Sequence, residues 1–117
     1  TVSLWGDGTP LREFLHSDDL ANACLHLLGN YEGEYALNVG TGSDISIRDL
    51  SAMIATIVGF QGDVIWDSSK PNGTPRKVLD IARIRETGWS PRVDLRQGIQ
   101  KVYSDYLESL KLDSNLE

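Results

Sequence analysis

Residues 35–59, YALNVGTGSDISIRDLSAMIATIVG, decide the reading of the fold. Tyr35-Ala36-Leu37-Asn38-Val39 is a short apolar run that predicts a buried strand, closed by Gly40-Thr41-Gly42. Ser46 with Asp49 three residues later predicts a capping box and hence a helix start. Ile47, Leu50, Ile54, Ile57 and Val58 then recur at helical spacing, and Gly59 supplies the stop. A strand, a glycine turn and a capped amphipathic helix in direct succession is the repeating unit of a layered α/β protein.

The same alternation extends both ways. Towards the start, TVSLW (residues 1–5) predicts a strand, Gly6 to Pro10 a turn, and Arg12 to His16 an extended segment. Ser17, with Asp18 and Asp19 behind it, suits a helix cap and the positive end of a helix dipole. Leu20, Ala23, Cys24, Leu27 and Leu28 form that helix's apolar stripe, which places Cys24 in core packing, and Gly29-Asn30 ends it. Towards the end, DVIW (63–66) predicts a strand and residues 67–77 a polar, basic loop. A short helix follows from Asp80 to Thr87, closed by Gly88. Asp94 with Gln97 caps a last helix through Leu95, Ile99, Val102, Tyr106 and Leu110. The expected organisation is one mixed α/β unit over residues 1–111 and a polar tail over 112–117.

Composition narrows the function. The 117 residues carry a formal net charge of −6, which argues against a nucleic-acid binder. No apolar run approaches the roughly 20 residues of a membrane span. One cysteine excludes an internal disulfide and a cysteine-based zinc site, and favours a reducing, cytoplasmic compartment. His16 and His26 lie ten apart with no metal-ligand spacing around them. The opening carries neither an initiator Met nor a basic leader, which points to a piece of a longer chain.

Two Gly-x-Gly turns, Gly6-Asp7-Gly8 and Gly40-Thr41-Gly42, lack the third glycine of a dinucleotide fingerprint. No tyrosine is followed by lysine four residues on. Two segments do concentrate useful chemistry. Trp5 to Arg12 joins an aromatic plane, a flexible turn and a guanidinium, a set able to stack a ring and clamp a phosphate. The competing reading puts Trp5 in the core and pairs Arg12 with an acid such as Asp18. Residues 70–77, KPNGTPRK, reverse the local charge with Lys70, Arg76 and Lys77 on a loop stiffened by two prolines. That loop is either an anion site or a solvated charged surface. Asp18-Asp19 reads as helix capping rather than as a catalytic carboxylate pair, since neighbours in sequence do not share a helix face.

WGDGTPLREFLHSDDLANA, NVGTG with SIRDLSAMIATIVGFQG, and SKPNGTPRKVLDIARIRETGW together resemble the extended short-chain dehydrogenase/reductases that act on nucleotide sugars. The resemblance runs from Val2 to about Leu110 and is strongest, through the 70–77 loop, to an epimerase/reductase branch that takes a GDP-sugar with NADP. It implies a small mixed α/β substrate-binding domain, C-terminal in the family, with the Rossmann domain missing from this chain. It also implies a cytoplasmic homodimer when full length. The family's catalytic Ser, Tyr and Lys, its epimerisation Cys and His, and its NADP-binding glycine loop have no counterpart here. The chain alone is therefore expected to be inactive, with no catalytic, cofactor-binding or metal residues of its own. What carries over is substrate binding by Trp5 and Arg12, by Asn72 where the family loop has an acid, and by Arg76 and Lys77. An amide at 72 offers no carboxylate to a guanine edge. That leaves open another nucleotide-sugar epimerase or dehydratase, or a stand-alone nucleotide-binding domain.

Overall fold

The computed structural model describes the backbone of residues 1–113 and the side chains of residues 1–111. β1 (Val2–Trp5) pairs in parallel with β4 (Val64–Asp67), Trp5 opposite Asp67. β2 (Leu11–Arg12) is the centre of a second, three-stranded sheet. On one side it meets β3 (Ile45–Ser46), antiparallel, and on the other β5 (Arg76–Lys77), parallel. Among the described residues there are four helices: α1 (Ser17–Asn30), α2 (Ile47–Val58), α3 (Ala82–Glu86) and α4 (Leu95–Asp113). The mixed α/β character expected from the sequence is the observed architecture.

Local chemistry explains most boundaries. Ser46 caps α2 by accepting the Asp49 N–H at 3.0 Å while its hydroxyl donates to the Asp49 carboxylate at 2.6 Å. Gly59 ends α2 with φ +71°, a left-handed conformation that costs glycine nothing. Asp94 Oδ1 accepts from the N–H groups of Arg96 and Gln97, as expected of the last cap. Asp80 does the same for Ala82, so the short helix starts two residues later than predicted. α4 runs to Asp113, and residues 114–117 of the expected tail lie outside the described residues.

Five expectations are corrected. Residues 35–39 form no strand, because no ladder partner for them exists among the described residues, although Leu37 and Val39 pack on the core. His16, not Ser17, caps α1: its Nδ1 accepts the Asp18 N–H at 3.1 Å. Of the predicted extended segment, Arg12 to His16, only Arg12 joins a ladder, together with Leu11 before it, and Arg76–Lys77 leaves the basic loop to become β5. Cys24 is exposed. The inner side of α1 carries Asp19, Ala23 and Leu27, whereas Cys24 falls with Leu20, Leu25 and Leu28 on the side this chain leaves open.

The buried centre is small: Ala23, Ile81, Ile84 and Trp89, with Leu15, Leu27, Leu37 and Val39 around it. Asp19 is buried beside it and accepts the backbone N–H groups of Arg92 and Val93 at 2.9–3.1 Å. It therefore ties α1 to the entry of α4 rather than capping its own helix. That latch sets the position of the 91–95 segment, which forms one wall of the cleft described next.

Candidate functional site

Trp5 ends β1 and is 70% exposed, so it is not a core residue of this chain. The Lys70 ammonium lies 5.8 Å from that ring, a cation–π approach from the basic loop. The loop is also fastened to the turn after β1. Asn72 Oδ1 accepts the Asp7 N–H at 2.8 Å, and its side chain fills the space where a Cβ on Gly6 would be. The Asp7 carbonyl accepts from Arg48, whose guanidinium lies 5.0 Å over the Trp66 ring. Thr9 gives both its N–H and its hydroxyl to Asp7 Oδ1, at 2.9 and 2.6 Å. These bonds, with help from Asn72, hold the Asp7 carboxyl down to about 2.

Arg12 projects from the middle strand of the second sheet. Its Nη1 donates to the Leu11 carbonyl at 2.7 Å, and it forms no pair with Asp18. Gly73 lies beside the guanidinium with φ +75°, a left-handed conformation that favours glycine, and a Cβ there would meet Arg12 Nη2 at an ordinary 3.7 Å. Arg12 also lines a cleft of about 380 Å³ with Thr41, Ser43, Asp44 and Arg92. The cleft wall is held from two sides. Glu13 Oε2 accepts the Gly42 N–H at 2.6 Å, and Arg76 Nε donates to Asp44.

The two cations closing the loop do not act together. Register places Lys77 opposite Arg12 and Arg76 opposite Leu11, so alternation sends them to opposite faces of the sheet. Arg76 is engaged by Asp44, while Lys77 shares a face with Arg12. The structure thus gathers Trp5, Lys70 and Asn72 in one cluster, with Arg12 and Lys77 beside it. Sequence reasoning missed Arg92, Glu13 and Asp44 at the cleft. The first is one of several arginines with no motif around it, and the acids gain meaning only once the 40–44 loop folds against β2.

The glycine turns are not built for a dinucleotide. Added Cβ atoms would strike Asn72 at Gly6, Trp66 and Arg48 at Gly8, Glu13 at Gly40 and Ile81 at Gly42. Their open space is filled by the protein's own side chains, so the residues present do not fit NADP. Among the described residues there is also no group of His, Cys, Asp and Glu that could hold a metal ion. No described helix is long and apolar enough to cross a membrane.

Residues 1–40 match the model of the NAD dependent epimerase/dehydratase family. By sequence and by fold the chain is similar to part of proteins of that class. Several of the similar proteins are GDP-L-fucose synthases, and another is a GDP-L-colitose synthase of Yersinia pseudotuberculosis. "Probable GDP-L-fucose synthase 1" of Oryza sativa subsp. japonica is 50% identical over 93% of this chain and 33% of its own length. GDP-L-fucose synthase of Escherichia coli (strain K12) is 44% identical over 92% of this chain and 36% of its own length. Among solved structures, a GDP-L-fucose synthetase of Naegleria fowleri bound to NADP superposes with a TM-score of 0.86. It is 27% identical, over 93% of this chain and 35% of that one. The chain spans about a third of the length of the relatives it matches.

Proposed function

We propose that this chain is the nucleotide-sugar-binding portion of an NADP-dependent GDP-L-fucose synthase, an epimerase/reductase working in the cytoplasm as a homodimer. NADP would be held by parts of the enzyme outside this chain, since its own glycine turns are filled. The exposed, unpaired thiol of Cys24 fits a reducing compartment.

The carrying observation is the convergence of an exposed indole, a rigid basic loop and an arginine at one edge of an otherwise acidic chain. A nucleoside diphosphate sugar presents a flat base and about two negative charges. On this reading Trp5 stacks the base, and Arg12 with Lys77 faces the diphosphate. Asn72 fixes the loop that closes over them. Arg76 supports the same pocket through Asp44. Binding energy gathered here would orient the sugar for chemistry elsewhere, with no proton or hydride moved by this chain.

Calorimetric titration of the 117-residue chain with GDP and with inorganic pyrophosphate tests the reading. Both should bind, and Arg12→Ala should weaken both by roughly ten- to a hundredfold, the loss typical of a charge-assisted hydrogen-bonded contact. Equal affinities for the wild-type and variant chains would remove Arg12 from the site.

A further inference from the structure

Two helices leave an apolar groove of about 530 Å³ that this chain does not fill. α2 lines it with Leu50, Ile54 and Val58, and α4 with Ile99, Val102 and Tyr106. Ile54, Val102 and Tyr106 stand exposed on its two walls. His16, also in the lining, is a second sign that the wall is unfinished. Its side chain is 9% exposed, and its Nδ1 accepts the Asp18 N–H, so Nε2 bears the hydrogen. That buried donor has no acceptor among the described residues.

The walls dictate what can lie there. Both are helices, whose backbone groups are paired within themselves. A strand or loop laid between them would bury N–H and C=O groups with nothing to bond. A helix brings its own pairs and buries only an apolar stripe. Leu50 to Val58 spans about 12 Å, or about two turns of such a helix. Its source follows from the lengths compared above. The relatives align with nearly all of this chain, yet about two thirds of their own length lies outside it. A second copy of this chain would instead bring another net charge of −6 to the same face. We propose that the groove between α2 and α4 seats an amphipathic helix supplied by the rest of a longer protein. The groove shares Phe14, Val93, Asp94 and Leu95 with the cleft that Arg12 lines, so the seated helix braces that cleft from behind. The inference rests on the reading of this chain as one portion of a synthase.

The test sets this chain, with Cys24→Ser, in place of the matching third of the Escherichia coli relative and follows thiol labelling by a maleimide. Ile54→Cys reports on the groove. Ala52→Cys, exposed on α2 outside the groove lining, is the control. In the 117-residue chain at about 0.1 µM, below the micromolar range of weak association, both thiols should label at similar rates. In the joined protein the Ile54→Cys thiol should label roughly a hundredfold more slowly, limited by opening of the seat, while the Ala52→Cys thiol stays fast. Val102→Lys, which puts a charge on the opposite wall, should restore fast labelling of the Ile54→Cys thiol. Equal rates for the two thiols in the joined protein would overturn the proposal. Equal protection of the Ile54→Cys thiol in the 117-residue chain at the same concentration would put a second copy in the groove and overturn it too. Formation of GDP-L-fucose by the joined protein is scored separately. Protection without product counts against the proposed function alone, and product without protection counts against the seated helix alone.

Discussion

Asp7 shows how much one side chain's neighbours determine. Its carboxyl titrates near 2, rather than near the ordinary 3.8, because Thr9 donates twice to the charged form and Asn72 supports it. Protonation would forfeit those bonds. A carboxyl depressed in the folded state stabilises the fold above its unfolded value and loses that contribution as pH falls through the folded one. The turn from Gly6 to Thr9 should therefore hold down to about pH 4 and loosen between about 4 and 2. Carboxyl-detected NMR should give an Asp7 midpoint near 2, and Thr9→Val should move it upward. An Asp7 midpoint near 3.8 in the wild-type chain would contradict the hydrogen-bonded turn. Other single residues were legible in part. Trp5 and Arg12 stood out as an aromatic and a cation flanking a turn, but whether Trp5 was buried depended on packing that one sequence does not reveal. Asp19 read as a dipole partner of α1 and proved to be a buried latch, because its true partners lie more than 70 residues away.

At the level of elements, helices were read more accurately than strands, and the reason is where their bonds close. α2 carries its own start in Ser46 and Asp49, its stripe in Ile47, Leu50, Ile54, Ile57 and Val58, and its stop in Gly59. Every one of those signals is local. β3 and β5 are two residues each and owe their existence to β2, so no local pattern announces them. The 35–39 run is the converse case. It has a strand's composition and packs apolar side chains inward, yet its backbone has no ladder to join here. The cap of α2 matters beyond helix stability, since Ser46 also pairs with Leu11 in the sheet that carries Arg12. Ser46→Ala should cost about 1 kcal/mol by chemical denaturation, the usual value of an N-cap. A loss within error of zero would mean that the reciprocal bonds with Asp49 add nothing to stability.

The whole molecule is too open to be a finished globule. Its radius of gyration is 17.7 Å, against about 13 Å for a compact chain of similar length, and it measures 50 × 43 × 20 Å. The thin dimension is that of a layer covered on one side. β1 and β4 make a two-stranded parallel sheet with Val2 and Ile65 open to solvent, although parallel strands normally lie buried between layers. On α1, Leu25 is 70% and Leu28 84% exposed, beside Leu20 and Cys24, while Tyr35 stands open on the segment that lacks a ladder. Between α2 and α4 an apolar groove of about 530 Å³ runs past Phe14, Leu50, Ile54, Val102 and Tyr106. Each large side chain returned from water to an apolar contact is worth about 1.5–3 kcal/mol, so a few of them suffice to hold two copies together. The chain alone should therefore associate, with a weight-average sedimentation coefficient that rises over roughly 1–100 µM, the range in which free energies of about 5–8 kcal/mol act. Leu25→Lys with Leu28→Lys puts two charges on the open side of α1 without touching Ala23 or Leu27, which face the core. That double variant should shift association to higher concentration and leave the Asp19 latch intact. A single monomeric species across the range, in both wild-type and variant chains, would mean that these faces are tolerated in water and that the open shape is a stable end state.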